Sequence, residues 1–176
     1  LALLLQNSKK IKFDLIVSGS HLSKLYGNTQ KEIKNEKIKI FKKINLYLEK
    51  EAGSPKNISK NSIILISKLS DYFFKYNPSL IILLGDRYET YIAAFISTLC
   101  KIKIVHIHGG EVTRGSKDDL YRHAITKMSN LHFVSTHVSK KRIRQMGEDI
   151  KSIYNFGAMC NDNIDNLKNY QCYHYT

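Results

Sequence analysis

Short runs of β-branched and aliphatic residues recur along the chain, and their recurrence constrains the fold more than any other feature. They cover residues 13–19, 79–85, 103–109, 131–136 and, more weakly, 152–157. Longer stretches with apolar residues at helical spacing lie between them, at 30–49, 61–76, 88–100, 118–129 and 138–147. Short strands alternating with helices are typical of βαβ units around a parallel sheet. The pattern predicts an α/β fold with a doubly wound parallel sheet, whose central, nearly continuous apolar strands are buried on both faces.

The length and the two ends of the chain bound its organisation. A chain of 176 residues matches one domain of the usual ~100–200 residues. The opening LALLLQNSKK is interpreted as the later part of an amphipathic helix, since it lacks the basic flank and cleavage site of a signal peptide. Residues 168–176 show no periodicity and are predicted to be an irregular tail.

Membrane and disulfide signals are weak. The longest apolar runs fall far short of the ~20 residues that a transmembrane helix needs, so no membrane partner is expected. The chain has three cysteines, an odd number without metal-ligand spacing. Such a pattern favours reduced thiols and predicts a cytoplasmic protein.

The formal net charge of +13 raises the question of nucleic-acid binding. Residues 1–60 hold 13 Lys and 5 acidic residues, whereas residues 83–123 hold 6 basic and 5 acidic residues. Phosphate-backbone binding needs a clustered basic patch, but here Lys is scattered among Ile and Asn. We therefore expect no nucleic-acid partner.

Reactive side chains follow the second apolar run, in the segment GDRYE. Ligands of open parallel sheets bind beyond the carboxyl ends of the strands. Asp86 either caps the following helix or faces that crevice as an acid or base. In the second interpretation Arg87 is free to pair with an anionic group of a substrate.

The third apolar run ends in HIHGGE. On a strand His106 and His108 share one face, so they either bind a metal or are ordinary buried histidines. Gly109 and Gly110 allow a close backbone approach to a phosphate or sugar oxygen. Glu111 is then expected at the mouth of the crevice.

The segment KDDLYRHAITK predicts a helix that begins at Asp118 or Asp119, either of which suits the N-cap. Spacing of four residues predicts the pairs Asp118–Arg122 and Asp119–His123. Alternatively, the same helical face points into the crevice and brings a carboxylate, a guanidinium and an imidazole to it.

These segments are also recognisable together. Five segments occur in this order along the chain: SGSHLSKLYGNT, which contains His21, then GDRYE, HIHGGEVT, DDLYRHAITKMSNLHF, and MGE with NFGAMCNDNI. They resemble the UDP-N-acetylglucosamine 2-epimerase family, in its hydrolysing, sialic-acid-pathway branch. The resemblance covers roughly residues 1–167, and HGGE followed by RHAITK is its specific part. It implies one half of a glycosyltransferase-B-type fold, in which two Rossmann-like halves enclose the active site.

The resemblance implies a reaction that converts UDP-N-acetylglucosamine into N-acetylmannosamine and UDP through elimination to a glycal and hydration. It implies a UDP-sugar as the ligand, no cofactor, no obligatory metal and a homo-oligomer at full length. Asp86, His108, Glu111 and Asp118 are the candidate catalytic residues. The candidate substrate-binding residues are His21, Arg87, His106, Gly109, Gly110, Arg122 and His123.

One position departs from the pattern of the family. Several members have HIEGGE where this chain has HIHGGE, so His108 stands in the place of a Glu. This difference leaves open which group is the base, and it is compatible with a relative that acts on a 2,4-diacetamido nucleotide sugar. A glycosyltransferase and a non-catalytic module that binds sugar nucleotides are the other classes considered.

The resemblance also predicts what lies outside the sequence. Residues 1–167 correspond to an incomplete N-terminal domain whose first strand and GTRAEY-like loop would precede Leu1. The C-terminal domain that binds UDP would follow residue 170. Since orientation of the reactants supplies ~7–11 kcal/mol of a barrier, the isolated chain is expected to be inactive.

Overall fold

The computed structural model describes residues 1–46, 53–113 and 115–159. The chain divides into two compact units, residues 1–76 and 77–176. The predicted irregular tail, residues 168–176, lies outside the described residues. No helix within the described part of the chain is long and apolar enough to cross a membrane.

The described part of the first unit contains two parallel strands and three α-helices. They are α1 (Ala2–Gln6), β1 (Leu15–Ser18), α2 (Gln30–Asn35), β2 (Ile40–Ile44) and α3 (Pro55–Tyr76). Strands β1 and β2 form a two-stranded sheet. Helix α3 starts earlier than the predicted residue 61, because Pro55 suits a first helical position and the hydroxyl of Ser54 accepts a hydrogen bond from the N–H of Asn57 at 3.4 Å.

The prediction of one helix over 30–49 is wrong. Helix α2 ends at Asn35, Lys37 adopts a left-handed conformation with φ of 59°, and β2 follows. Alternate β2 residues, from Ile40 to the buried Ile44, are the less exposed ones, which is the pattern of a strand with one covered face. Pairing with β1 outweighs the helical spacing of the apolar residues. Residues 47–49 lie outside the described part.

The described part of the second unit is a four-stranded parallel sheet with three α-helices. They are β3 (Leu80–Leu84), α4 (Tyr88–Leu99), β4 (Lys103–Ile107), α5 (Asp118–Met128), β5 (Leu131–Val134), α6 (His137–Gln145) and β6 (Ile153–Asn155). The strands follow one another across the sheet in sequence order. The predicted α/β class with parallel strands is confirmed, and all five predicted strands are present.

The core of the second unit lies between the sheet and its helices. It includes Ile104, Ile125, Val134 and Ile143, each at most 1% exposed. Burial of such a side chain is worth about 1.5–3 kcal/mol relative to its exposure to water. This packing therefore holds the helices against the sheet and keeps the strand ends in place.

The prediction of burial on both faces holds for β4 and fails for β3. Residues Ile104–Ile107 of β4 are all buried, but Leu80, Ile82 and Leu84 of β3 are 43%, 37% and 55% exposed. Strand β3 is an edge strand of its sheet, so one face of it is less covered than that of the neighbouring β4.

Candidate active site

Arg122, on α5, is the central residue of a cluster at the carboxyl ends of β3 and β4. Its side chain is only 6% exposed. One Nη atom donates to the backbone oxygen of Glu111 at 2.9 Å and to Asp119. The other donates to Asp86 and to the hydroxyl of Thr113 at 3.2 Å. A guanidinium has five N–H groups, and no described residue accepts a hydrogen bond from the one on Nε.

Arg122 therefore joins three segments that are distant in sequence: the end of β3, the loop after β4 and the start of α5. It is a predicted substrate-binding residue, but its Nη hydrogens are all used within the protein. A buried charge with several hydrogen-bonded partners holds its surroundings in one arrangement. The main consequence of the guanidinium is the positioning of Asp86 and of the backbone at Glu111.

The two carboxylates at the start of α5 are paired differently from the sequence prediction. The helix begins at Asp118 and its cap position is Lys117, without a side-chain cap, so neither aspartate is the N-cap. Among the described residues, the predicted pairs Asp118–Arg122 and Asp119–His123 are not formed. Asp119 instead binds Arg122 and accepts hydrogen bonds from the N–H of Thr113 at 3.0 and 3.1 Å. These bonds tie the loop after β4 to the helix.

Asp86 does not cap α4. The cap position of that helix is Arg87, which makes no side-chain cap bond, and Asp86 uses Oδ2 to bind Arg122. The Asp86 side chain is 24% exposed. No described residue makes a hydrogen bond to its Oδ1, so this oxygen is available to a ligand.

His108, Glu111 and Ser135 form a hydrogen-bonded group. His108 lies one residue beyond β4 in a left-handed conformation, with φ of 64°. Its Nδ1 is 2.7 Å from Oε1 of Glu111, and the hydroxyl of Ser135, directly after β5, donates to the same oxygen at 2.6 Å. The His108 and Glu111 side chains are 23% and 36% exposed. The group combines fixed geometry with access from solvent.

The charge state of Glu111 follows from these contacts. Burial alone would raise the pKa of its carboxyl, but hydrogen bonds from Ser135 and His108 and the charge of Arg122 lower the pKa below its ordinary value. An ionised carboxylate only accepts hydrogen bonds. The bond to His108 therefore requires a proton on Nδ1 and leaves Nε2 of the neutral ring as an acceptor.

His106 has a different environment, although it is only two residues away. Its side chain is 0% exposed. Nδ1 is 3.2 Å from the hydroxyl of Thr126, and Nε2 is 2.9 Å from the backbone oxygen of Gly85. Burial lowers the pKa of His106 to about 4. The residue is a predicted substrate contact, but both nitrogens bind the protein and the ring is covered.

The two glycines after His108 allow the chain to pack against α6. A Cβ on Gly109 would lie 2.9 Å from Nδ1 of His106, and one on Gly110 would lie 2.5 Å from the backbone oxygen of Ser139. Gly110 also has φ of 74°, and its oxygen accepts a hydrogen bond from Arg142. The glycines are thus required by the protein itself. Their N–H groups have no acceptor among the described residues, so the predicted approach to a ligand oxygen stays a prediction.

The remaining predicted residues are less constrained. Arg87 is 59% exposed and pairs with Glu89 at 3.2 Å. Burial would lower its pKa, but the charges of Glu89 and Asp118 and the hydrogen bond to Glu89 raise it. Asp118 is half-buried, and its carboxylate has no hydrogen-bond partner among the described residues. Nδ1 of His123 is buried without a hydrogen-bond partner there.

His21 belongs to the first unit and is described by its local contacts. It is exposed, and its Nδ1 lies 2.7 Å from the hydroxyl of Thr29. A role for His21 in substrate binding stays a prediction.

Sequence analysis did not single out Thr113, Thr126 or Ser135. Ser135 could have been found by the rule that identified Asp86 and His108, since it follows the apolar run 131–136 at a strand end. Thr113 and Thr126 carry no such signal, because their contacts depend on how the loop meets α5. Within residues 1–46, 53–113 and 115–159, no group of three or more His, Cys, Asp and Glu residues could hold a metal ion.

Comparison with known proteins finds nucleotide-sugar 2-epimerases among the relatives of this chain. The chain is 40% identical over 163 residues to the GDP/UDP-N,N'-diacetylbacillosamine 2-epimerase (hydrolyzing) of Campylobacter jejuni, covering 93% of this chain and 42% of that protein. It is 34% identical over 155 residues to the UDP-N-acetylglucosamine 2-epimerase of Neisseria meningitidis, covering 88% of this chain and 39% of the relative. The chain thus spans about two-fifths of the length of the curated relatives it matches.

The structural comparison agrees about the fold. A crystal structure of UDP-GlcNAc 2-epimerase from Neisseria meningitidis bound to UDP-GlcNAc superposes with a TM-score of 0.79 at 19% identity, over 96% of this chain and 46% of that one. The chain therefore has the fold of about half of a glycosyltransferase-B-like epimerase. The family model for UDP-N-acetylglucosamine 2-epimerase matches residues 4–175, and the chain belongs to that family.

Proposed function

We propose that the full-length protein is a hydrolysing nucleotide-sugar 2-epimerase, which converts UDP-N-acetylglucosamine and water into N-acetylmannosamine and UDP. The family match over residues 4–175 carries this proposal. Residues 1–167 then form the N-terminal, Rossmann-like half of the enzyme, and the UDP-binding half belongs to the length that the relatives have in addition. Without that half we expect no turnover, since the substrate would not be oriented.

The reaction needs two proton transfers and a stabilised leaving group. Removal of the proton from C2 of the sugar supplies the electron pair of a C1=C2 double bond, while the bond from C1 to the UDP oxygen breaks. Water then adds its hydroxyl to C1, and a proton adds to C2 from the opposite face. One group must accept the first proton, and one must deliver the second.

His108 fits the role of proton acceptor. Glu111 occupies its Nδ1 at 2.7 Å, which leaves the lone pair of Nε2 for a substrate. An imidazole accepts and releases protons near neutral pH. In this proposal Glu111 acts through His108, and the His108 position uses imidazole where several family members use a carboxylate.

Asp86 and Asp118 fit the delivery of the second proton. Each keeps at least one carboxylate oxygen without a hydrogen-bond partner among the described residues. Asp86 is fixed by Arg122, whereas Asp118 lies in the first turn of α5. Wild-type turnover in both Asp86→Asn and Asp118→Asn would refute these roles.

The substrate contacts are proposed from charge and free donors. Arg87 offers a positive charge to the diphosphate, and His123 and the N–H groups of Gly109 and Gly110 offer contacts to the sugar or phosphate. His21 is retained as a contact on the resemblance alone. For His106 we propose a positioning role, because its ring is buried and binds the backbone next to Asp86.

A second substrate class is a 2,4-diacetamido nucleotide sugar. The Campylobacter jejuni relative is named for N,N'-diacetylbacillosamine and is 40% identical, compared with 34% for the relative named for UDP-N-acetylglucosamine. The chemistry at C1 and C2 is the same for both substrates. The two sugars differ at C4 and at C6, so the choice between them concerns the groups that surround those carbons.

The decisive experiment joins this chain to the remaining length of the Campylobacter jejuni relative. The chimera is assayed in D2O with UDP-N-acetylglucosamine and with UDP- and GDP-N,N'-diacetylbacillosamine. Release of the nucleotide with deuterium at C2 of the free sugar supports the proposal, and the preferred substrate selects between its two forms. Sugar transfer without deuterium, or binding without turnover, contradicts it.

The role of His108 is tested in the same chimera. His108→Gln should lower kcat by about 10²–10⁴-fold, the usual effect of losing a general base. His137→Gln, at an exposed position of α6, is the matched control and should leave kcat unchanged. Equal kcat values in the two variants would assign the first proton transfer to another group.

We also propose that the full-length protein is a cytoplasmic homo-oligomer. Light scattering coupled to gel filtration measures its mass, and a monomer would contradict the second part of this proposal.

A further inference from the structure

Ser135 lies where a rigid part of the second unit meets the His108–Glu111 pair. It directly follows Val134, which is paired with β6 and 1% exposed. The next residue, Thr136, caps α6 by accepting a hydrogen bond from the N–H of Ser139 at 3.0 Å. A strand on one side and a capped helix on the other leave the backbone of Ser135 little freedom.

Glu111, by contrast, lies in a loop and has a long side chain that is 36% exposed. Its backbone oxygen is held by Arg122 at 2.9 Å, but among the described residues its carboxylate is held by two groups, His108 and Ser135. Without the hydroxyl of Ser135, solvent would compete for Oε1, and the carboxylate would reach other rotamers. His108 would then lose the partner that keeps a proton on Nδ1.

We propose that Ser135 is a positioning residue, which anchors Glu111 so that His108 keeps its proton on Nδ1 and presents Nε2 as a proton acceptor. The inference concerns the tautomer of His108 and the orientation of Glu111. Its importance for catalysis rests on the proposed function. A carboxylate that binds one ring nitrogen of a histidine is a general means of fixing its tautomer. Here that carboxylate, of Glu111, is itself oriented by the hydroxyl of Ser135.

The test uses this chain, so its outcome does not depend on turnover. Long-range ¹H–¹⁵N spectra at neutral pH report which ring nitrogen of His108 carries the proton, and the ¹³C signal of the Glu111 carboxyl reports its titration. In Ser135→Ala we expect the Nδ1–H form to fall by about twofold or more. We also expect the Glu111 pKa to move up toward its ordinary value.

Two variants control this measurement. Ser135→Thr keeps a hydroxyl and should retain the wild-type tautomer. Ser129→Ala removes a hydroxyl that donates to the backbone oxygen of Ile125 at 2.7 Å, far in sequence from the pair, and should leave both signals unchanged. The proposal is overturned if Ser135→Ala keeps the wild-type tautomer and carboxyl titration, or if Ser129→Ala changes them equally.

A kinetic measurement in the active chimera separates this inference from the proposed function. Ser135→Ala should lower kcat about tenfold, the expected loss of one hydrogen bond to a charged group, with KM unchanged and with recovery in Ser135→Thr. If Ser135→Ala changes the tautomer but not kcat, Ser135 does position Glu111, and His108 is not the base. If Ser135→Ala lowers kcat but leaves the tautomer and the Glu111 titration unchanged, Ser135 does not position Glu111.

Discussion

His106 and His108 lie two residues apart on the same stretch of chain, but they belong to different parts of the site. His106 is fully buried with both nitrogens bound to protein, together with Arg122 and the two glycines; we call these residues the inner group. His108 is 23% exposed, and no described residue binds its Nε2. Asp118, whose carboxylate has no described hydrogen-bond partner, and the partly exposed Glu111 form the outer group with it. The comparison teaches that identical residue types divide between support and chemistry according to access and remaining hydrogen-bonding capacity.

The largest effect on stability is expected from the inner group at Arg122. Arg122→Met should lower the free energy of unfolding by about 3–5 kcal/mol, because it leaves Asp86 and Asp119 without their shared partner in a partly buried place. Urea titration measures this loss. Lys141→Met, at an exposed position in the middle of α6, is the control and should cost no more than about 0.5 kcal/mol. Equal losses would show that Arg122 does not hold the site together.

The packing of the glycine turn gives the next largest effect. Gly110→Ala should cost about 3 kcal/mol, since it combines a left-handed backbone with overlap against Ser139 and Ile143. Gly115 also has a positive φ, of 80°, but no atom of the described residues lies within 4 Å of its Cβ position. Gly115→Ala should therefore cost only about 1–2 kcal/mol. If the two variants unfold at the same temperature, the close packing of α6 against Gly110 does not determine the cost of the substitution.

The buried imidazole of His106 predicts a loss of stability in acid. Its pKa is about 4 in the folded chain and about 6.5 when unfolded, so the unfolded chain binds the proton more readily. Stability is full above about pH 6.5, decreases as the pH falls to about 4 and then levels off, with a loss of roughly 3 kcal/mol from this residue. His106→Gln removes the share of the slope that this residue contributes and keeps the share of the buried His132, whose pKa burial also lowers, whereas His137→Gln, at an exposed position, retains both shares. Identical slopes in urea titrations of all three proteins would rule out the buried neutral state.

The smallest expected effect separates two neighbouring aspartates. Asp119→Asn should cost about 1–2 kcal/mol, because it weakens bonds to Arg122 and to the N–H of Thr113. Asp118→Asn should cost no more than about 0.5 kcal/mol, since no described residue binds that carboxylate. Both residues lie in the first turn of α5, so the helix dipole contributes equally to each. A larger loss for Asp118 would show that its carboxylate, and not that of Asp119, supports the site.

Much of the fold was predictable because strands and helices have different hydrophobic periods. All five predicted strands were found, and the helices of the second unit begin and end within a few residues of their predicted bounds. The failure at residues 30–49 has a physical cause. Ile40 and Ile44 fit a helical spacing and a strand spacing equally, and only pairing with β1 decides between them.

The site was predictable in its composition and less in its contacts. The strand-end rule identified Asp86, His108 and Glu111, which the structure joins through Arg122 and the loop after β4. It did not identify the partner of each group. Asp119 binds Arg122 three residues away in place of His123, because the guanidinium turns toward β3 and the loop.

The sequence by itself determined the α/β class, the family and the types of reactive residue at the strand ends, since these depend on periodicity and local motifs. Only the tertiary structure decided which of these residues support the site and which remain open to a ligand. The reason is that burial and hydrogen-bond partners depend on distances between segments far apart in the chain. His106 and His108 are the same residue in the same motif, and the atoms that surround them make one a support and the other a candidate base.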